Sequence, residues 1–127
     1  MNTNAYGTAL GRLLLALIFL QSGIAKLGAV EQTRGQFEAM HLPGLLVWPT
    51  ILFEIIAGAL IVLGCQTRIT ALLLALYCLA TAAIAHSHFA EPMQLINFMK
   101  NVSMAGGFLL LACVGPGSLS VDARSRR

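Results

Sequence analysis

One carboxylate lies in the middle of an otherwise apolar stretch of this 127-residue chain. Glu54 is the only charged residue between Leu45 and Gly64, and it would lie about 14 Å from the Leu45 end of a helix. An ionisable group inside a membrane-spanning helix is costly, and such a residue usually marks a functional site. Two interpretations stay open here. Glu54 is either a functional carboxylate or a protonated one that joins two helices by a hydrogen bond.

Candidate partners for Glu54 lie at the ends of the predicted helices that are opposite the N-terminus of the chain. Side chains lean toward the N-terminus of their own helix, which directs Glu54 toward that end. We therefore predict one intramembrane polar cluster, a candidate ligand-binding site. The alternative is that the lysines reach the headgroups and that the histidine lies at the interface. The partners are Lys26 at the end of the first apolar stretch, His86 at the end of the third, and Lys100 and Asn101 at the start of the fourth.

Basic residues near the predicted helix ends indicate the orientation of the chain. Cytoplasmic loops of membrane proteins carry an excess of Lys and Arg. Five such residues lie on the side of the N-terminus and three on the other, which predicts two cytoplasmic termini. Arg12 and Arg68 are then predicted at the cytoplasmic interface, where they contact lipid phosphates or simply follow the charge bias. The five are Arg12, Arg68, Arg124, Arg126 and Arg127, and the three are Lys26, Arg34 and Lys100.

The residue pattern gives little support to metal, haem or hydrolytic chemistry. Cys65, Cys78 and Cys113 form no C-x-x-C pair, and we expect them to be packing residues. A haem between helices would need paired axial ligands in the apolar region, and His86 is the only candidate near it. The chain has no H-E-x-x-H, G-x-S-x-G or P-loop motif. We therefore predict no metal site and no catalytic residue.

The composition predicts that membrane-spanning helices position these residues. Hydrophobic residues make up 57% of the chain and charged residues 10%, against about 25% charged in an ordinary soluble domain. Four stretches approach the roughly 20 apolar residues that cross a bilayer. We predict a single all-α domain over residues 1–127, an integral membrane four-helix bundle of up-down topology. Its helices are predicted at about residues 7–27, 45–64, 69–86 and 95–114.

The connections between these helices differ in length. Residues 28–44 form the longest, which ends in the breaker sequence His41–Gly44. Residues 65–68 form so short a connection that the second and third helices must be antiparallel. The polar tail, residues 118–127, is expected to be mobile. The basic residues are not clustered among aromatics, so nucleic-acid binding is not expected.

Several short motifs follow one another through the four predicted helices. They are Arg12 with the run Phe19–Leu27, the run Glu54–Leu60 with Leu63 and Gly64, then Arg68, His86, and Lys100-Asn101 with Gly106-Gly107. In order and spacing this set resembles the DoxX family of small bacterial membrane proteins, from about Gly11 to Ala112. The resemblance implies a four-helix bundle in the bacterial inner membrane.

The resemblance implies several activities rather than one. Relatives in this family are linked to quinone-coupled sulfur oxidation, to oxidative-stress complexes and to chaperoning of other membrane proteins. We predict an accessory or assembly subunit without independent catalysis, whose partners are the lipid bilayer and other membrane or redox subunits. Two alternatives stay open: a quinone-linked redox subunit with the quinone at the Glu54 cluster, and a small transporter or proton relay that uses Glu54. The oligomeric state stays open, and four short helices would suit a transporter chiefly as an oligomer.

Overall fold

Helices make up the fold of the computed structural model, which describes residues 3–126 and contains no strand in that range. Four of the helices are long and apolar enough to cross a bilayer: Thr3–Leu27, Gly44–Leu63, Thr67–Ala85 and Pro92–Val114. The predicted all-α membrane bundle is confirmed. In chain order the helices are α1 (Thr3–Leu27), α2 (Val30–Ala39), α3 (Val47–Leu63, after a 3₁₀ turn at Gly44–Leu46), α4 (Thr67–Ala85), α5 (Pro92–Val114) and α6 (Val121–Ser125).

Glycine and proline set several of the helix ends. Gly64 is left-handed (φ 71°) at the C-terminus of α3, and its amide donates to the carbonyl of Ile61. A residue without a Cβ adopts this conformation at little cost, so the chain turns directly from α3 toward α4. Pro92 opens α5, where its missing N–H is not needed. These breaks divide the apolar sequence into separate spans.

The bundle contains two closely packed helix pairs, α1 with α3 and α4 with α5. A Cβ at Gly58 of α3 would contact Leu20 of α1, and a Cβ at Gly23 of α1 would contact Ile55 of α3. Because residue numbers rise along α1 as they fall along α3, these two helices are antiparallel. Small residues let the two backbones approach each other, which is how helices associate in lipid.

The core lies where the two pairs meet. Phe19 of α1 contacts both helices of the other pair, with its ring edge-on to Tyr77 of α4 and to Phe108 of α5, at centroid distances of 6.0 and 5.6 Å. Leucine and isoleucine side chains on the outer faces of the spans remain exposed, as expected for a surface against lipid. The other buried core residues are Ala16, Ala57, Ile61, Ala71, Leu74, Ala75, Cys78, Ala105 and Leu111.

Gly23→Ala is expected to destabilise the bundle, because a Cβ at this position would lie 2.6 Å from Cγ1 of Ile55. Overpacking of this kind costs about 1 to 3 kcal/mol. The free energy of unfolding in mild detergent measures the loss. Gly11→Ala in the same helix is the matched control, since nothing lies within 4 Å of a Cβ there. An equal loss in both variants would contradict close packing at Gly23.

The connection between the first two spans contains a helix that the hydrophobic pattern did not predict. Helix α2 is mostly polar, and Thr33 is its buried residue. It is too short and too polar to resemble a span, yet its Glu, Gln and Arg residues favour helix formation. His41 (φ 62°) and Pro43 follow it and lead into the 3₁₀ turn before α3.

The C-terminal segment is folded back onto the turn between α3 and α4. The Asp122 carboxylate accepts hydrogen bonds from the amides of Gln66 (2.8 Å) and Thr67 (2.9 Å), and in this way it caps α4. The Asp122 amide donates to the carbonyl of Gly64 at 2.9 Å. The expectation of a mobile tail is therefore wrong for residues 118–126, and residue 127 lies outside the described range.

Candidate functional site

Four side chains from three helices form a polar cluster inside the bundle. Lys26 Nζ lies 2.8 Å from Oε1 of Glu54 and also donates to Oγ of Ser22 at 2.6 Å. The hydroxyl of Tyr77 donates to the other Glu54 oxygen, Oε2, at 2.9 Å. We call Ser22, Lys26, Glu54 and Tyr77 the polar cluster. It links α1, α3 and α4.

The close contact of α1 and α3 explains how the two charges meet. Lys26 lies in the last turn of α1, and its side chain leans back along the helix toward Ser22. Glu54 lies in the first half of α3, and its side chain leans toward the N-terminus of that helix. Because the helices are antiparallel, the two side chains lean toward each other. The missing Cβ of Gly23 brings the backbones close enough for contact.

The carboxylate of the polar cluster is buried, and its other three side chains are half-buried. The Glu54 side chain is 5% exposed and the Lys26 side chain 23%. Attraction between opposite charges is stronger away from water, but it offsets desolvation only when the remaining polar atoms are also hydrogen-bonded. Both oxygens of Glu54 have a partner, and Lys26 has two acceptors. The cluster therefore meets the condition for a stable buried ion pair.

Three residues of the predicted cluster lie elsewhere. His86 Nδ1 pairs with Oε1 of Gln94 at 3.1 Å, and Asn101 donates to the carbonyl of Asn97 within α5 at 3.0 Å. The side chain of Lys100 is exposed and forms no hydrogen bond or ion pair within residues 3–126. The physical reason is that α5 packs along α4, whereas the ion pair forms between α1 and α3. Of the five predicted residues, the structure brings together Glu54 and Lys26.

Arg12 lies at the opposite end of the bundle and is buried, with 3% of the residue exposed. Its guanidinium donates to the carbonyl of Leu119 in the C-terminal segment. It lies against Gly64, where any Cβ would collide with Nη1. The predicted contact between Arg12 and lipid phosphates therefore does not fit the structure, because the C-terminal segment covers the side chain. Nε and Nη1 of Arg12 have no hydrogen-bond partner among the described residues.

Arg68 connects the start of α4 to the end of α5. Its Nη1 donates to the carbonyls of Ala112 (2.9 Å) and Cys113 (2.7 Å). These carbonyls belong to the last turn of α5 and have no partner within that helix, so the positive charge satisfies them. Arg68 itself is exposed, in keeping with a position at the surface of the bundle.

The Asp122 carboxylate has a lowered pKa. Burial by itself acts to raise the pKa. The amide hydrogen bonds from Thr67 and Gln66, together with the nearby charge of Arg126, outweigh this effect and hold the pKa below its usual range. Asp122 therefore caps α4 as a carboxylate ion at neutral pH.

Comparison with known proteins identifies the family. The DoxX family model matches residues 7–87, a region that includes the polar cluster and Arg12 and Arg68. The chain belongs to the DoxX family. The family resemblance seen in the sequence motifs is thereby confirmed, and no solved structure matches the chain.

Relatives of this DoxX-family chain match over most of its length. Inner membrane protein YqjF of Escherichia coli is 41% identical over 116 residues, covering 91% of this chain and 89% of the relative. Inner membrane protein YphA of the same organism is 38% identical over 122 residues, covering 91% and 87%. A shorter match, 34% identical over 70 residues, covers 55% of this chain and 52% of CatD of Bacillus subtilis, which is named as a candidate oxidoreductase.

The residue pattern of the DoxX-family chain did not identify Tyr77 as part of the site. A signal was available, because a tyrosine hydroxyl inside an apolar helix usually finds a hydrogen-bond partner. Glu54 was the one carboxylate within the predicted spans. What the pattern did not show is the rotation of α4 that turns Tyr77 toward α3.

Tyr77→Phe is expected to lower the free energy of unfolding by about 1.5 kcal/mol, since it removes a hydrogen bond to a charged oxygen. Denaturation in mild detergent measures the loss. Tyr6→Phe is the matched control because Tyr6 is 61% exposed. Equal effects of the two substitutions would show that the Tyr77–Glu54 hydrogen bond contributes nothing.

An apolar groove of about 400 Å³ lies between α3 and α4 beside the polar cluster. Tyr77 belongs to both: it lines the groove, and its hydroxyl donates to Glu54. The groove thus places an apolar surface beside hydrogen-bonding groups. Its other lining residues are Pro49, Thr50, Phe53, Leu73, Leu76 and Ala80.

The cysteines and possible metal ligands of the DoxX-family chain are dispersed. Within residues 3–126, no group of three or more His, Cys, Asp and Glu residues could hold a metal ion. Cys78 is buried in the core, as expected of a packing residue, whereas Cys65 is half-buried and Cys113 is exposed. All three are free thiols.

Proposed function

We propose that this DoxX-family protein is an accessory or assembly subunit of a larger complex in the bacterial inner membrane, without catalysis of its own. The closure of the polar cluster carries this proposal: Glu54 uses both oxygens on Lys26 and Tyr77 of the same chain. A ligand at Glu54 would have to displace one of these hydrogen bonds. A cluster satisfied in this way acts as a structural contact among α1, α3 and α4.

The location in the inner membrane is supported by the relatives. YqjF and YphA are both named inner membrane proteins and match this chain over most of its length. The four apolar spans are consistent with that location. Their outer faces carry many exposed leucine and isoleucine side chains, which suit contact with lipid or with the spans of another subunit.

Co-purification tests the accessory role. The chain, tagged and expressed at its native level, is extracted in mild detergent, and the accompanying polypeptides are quantified. We expect one membrane polypeptide in constant ratio, its recovery in the reciprocal purification, and a lower amount of it in cells that lack this chain. An unrelated four-span protein with the same tag is the control. Purification of the chain alone, with no change in other membrane proteins on its deletion, would contradict the proposal.

We also propose that both termini are cytoplasmic. Arg12, Arg68 and α6 lie at the same end of the bundle, so the basic residues of that end act together on orientation. A C-terminal alkaline phosphatase fusion should be inactive and a C-terminal fluorescent-protein fusion bright. Fusions after His88, at the opposite end, are the control and should give the reverse. An active C-terminal phosphatase would refute this orientation.

A quinone-linked redox role is the second candidate, favoured by one observation. Tyr77 lines the apolar groove and is hydrogen-bonded to Glu54, so hydrogen-bonding groups lie beside a surface suited to an apolar ring. The name of CatD, which describes a candidate oxidoreductase, is consistent with such a role. In this alternative the quinone is the ligand, and Tyr77 and Glu54 bind its head.

A thermal-stability measurement with a short-chain quinone analogue tests the second candidate. The analogue should raise the melting temperature of the wild-type chain. Leu76→Trp should fill the groove and abolish the shift, while Leu79→Trp, on the same helix but outside the groove, should keep it. The absence of a shift in the wild type, or an equal shift in both variants, would contradict quinone binding in this groove.

A further inference from the structure

A cavity of about 460 Å³ lies at the end of the bundle where the C-terminal segment docks. Its volume is in the range of small-molecule sites. It is lined by the turn between α3 and α4, the first residues of α4, Pro116 and the C-terminal segment around α6. Two arginines distant in sequence line it, Arg68 at the start of α4 and Arg126 just after α6. Ile69 and Pro116 add apolar surface. Neither proposed function uses this cavity.

The two arginines bring unused hydrogen-bond donors to the cavity. Nη1 of Arg68 is occupied by the carbonyls of Ala112 and Cys113, but its Nε and Nη2 have no acceptor within residues 3–126. Arg126 makes no side-chain hydrogen bond within the same range. A guanidinium carries five N–H donors in a planar arrangement that suits phosphate oxygens. The cavity therefore offers several donors without a partner.

The charge of the cavity is positive despite the presence of a carboxylate. Asp122 also lines it, but both of its oxygens face the backbone amides of Gln66 and Thr67. These amides occupy both carboxylate oxygens, and Asp122 forms no ion pair with either arginine within residues 3–126. Two guanidinium groups against one carboxylate leave an excess of one positive charge, which favours an anion.

The surroundings of the cavity indicate where this anion comes from. Leu63, Ile69 and Val114 are 55%, 60% and 69% exposed, and they lie at the ends of the three spans that meet here. Exposed apolar side chains at the end of a span contact acyl chains, so the cavity opens at the level where headgroups begin. An occupant with a charged head and an apolar tail fits this position better than a free ion.

We propose that this cavity binds the phosphate head group of an anionic phospholipid, with Arg68 and Arg126 as its ligands and Ile69 against the acyl chain. Basic pockets between spans are known to hold such head groups. Binding here joins the start of α4 to the C-terminal segment through one lipid molecule. It therefore adds to the docking of that segment.

Lipid-dependent thermal stability of the full chain tests the proposal. The delipidated protein is titrated with short-chain phosphatidylglycerol, with phosphatidylcholine, and with inorganic phosphate. Phosphatidylglycerol should raise the melting temperature, and the other two should not. R126Q should weaken the apparent affinity about five-fold, the loss expected for one basic residue near an anionic surface. R124Q removes the same charge from the same segment but lies outside the cavity, and it should bind like the wild type.

Three results would overturn the proposal. Equal stabilisation by phosphatidylcholine would show that the head-group charge is not recognised. Equal weakening in R126Q and R124Q would show that binding follows net charge and not this cavity. Stabilisation by inorganic phosphate as large as that by phosphatidylglycerol would assign the cavity to free phosphate. R126Q is the decisive variant, because Arg68 also binds α5 and its loss would disturb the fold.

Discussion

Glu54→Ala is expected to be the most destabilising substitution in the bundle, lowering the free energy of unfolding by about 3 kcal/mol. Removing one partner of a buried ion pair leaves the other charge without compensation, which costs roughly 3 to 5 kcal/mol. The lower end of this range applies because the Lys26 side chain is 23% exposed. Tyr77 would also lose its acceptor. Equilibrium unfolding in mild detergent gives the value.

A double-mutant cycle separates the ion pair from general packing. Lys26→Ala alone should also destabilise, but Glu54→Ala with Lys26→Ala should cost less than the sum of the two single losses, because neither charge is then stranded. Lys100→Ala is the matched control, since Lys100 is exposed and lies outside the polar cluster. Coupling within error of zero between Glu54 and Lys26 would refute the ion pair.

The choice of replacement at Glu54 distinguishes hydrogen bonding from volume. Glu54→Gln retains an acceptor for Lys26 or Tyr77, whereas Glu54→Leu leaves both donors unpaired. We therefore expect Gln to retain more stability than Leu. Equal melting losses in detergent would mean that these hydrogen bonds do not stabilise the fold.

Removal of residues 118–127 is expected to lower the free energy of unfolding by a similar amount, about 3 kcal/mol. The loss of the Asp122 cap on α4 contributes about 1 kcal/mol. The loss of the Leu119 carbonyl from the buried guanidinium of Arg12 contributes about 2 kcal/mol more. Detergent unfolding of the truncated chain measures the sum. R124Q is the control, because it alters the same segment but keeps both contacts, and it should change stability little.

The pH dependence of this effect has a definite sign. The pKa of Asp122 is lower in the folded protein than its usual value. Its contribution to stability is therefore complete above the usual aspartate pKa and is lost as the pH falls through the lowered, folded-state pKa. The stability difference between the wild-type and the truncated chain should shrink in that acidic range. A difference that stays constant down to complete protonation of Asp122 would show that the cap contributes nothing.

Long-range contacts were harder to predict than the helices that carry them. The docking of the tail depends on Asp122 reaching backbone amides of residues 66 and 67, more than fifty positions earlier in the chain. A short polar segment after the last span gives no local sign of such a contact. Helix α2 was not predicted either, because its polar sequence lacks the long apolar run from which the spans were predicted.

The four spans, their antiparallel order, the family and an intramembrane carboxylate at Glu54 could all be predicted from the amino-acid sequence. These features follow from local properties, namely the length of apolar runs, the breakers between them and the cost of a charge in lipid. The packing of the helices was needed to show that Lys26 is the cation paired with Glu54 and that Tyr77 also donates to this carboxylate. That choice depends on how each helix is rotated about its axis, and for α1 and α3 the packing at Gly23 and Gly58 sets this rotation. Lys26 therefore became the partner of Glu54, and Lys100 was left at the surface.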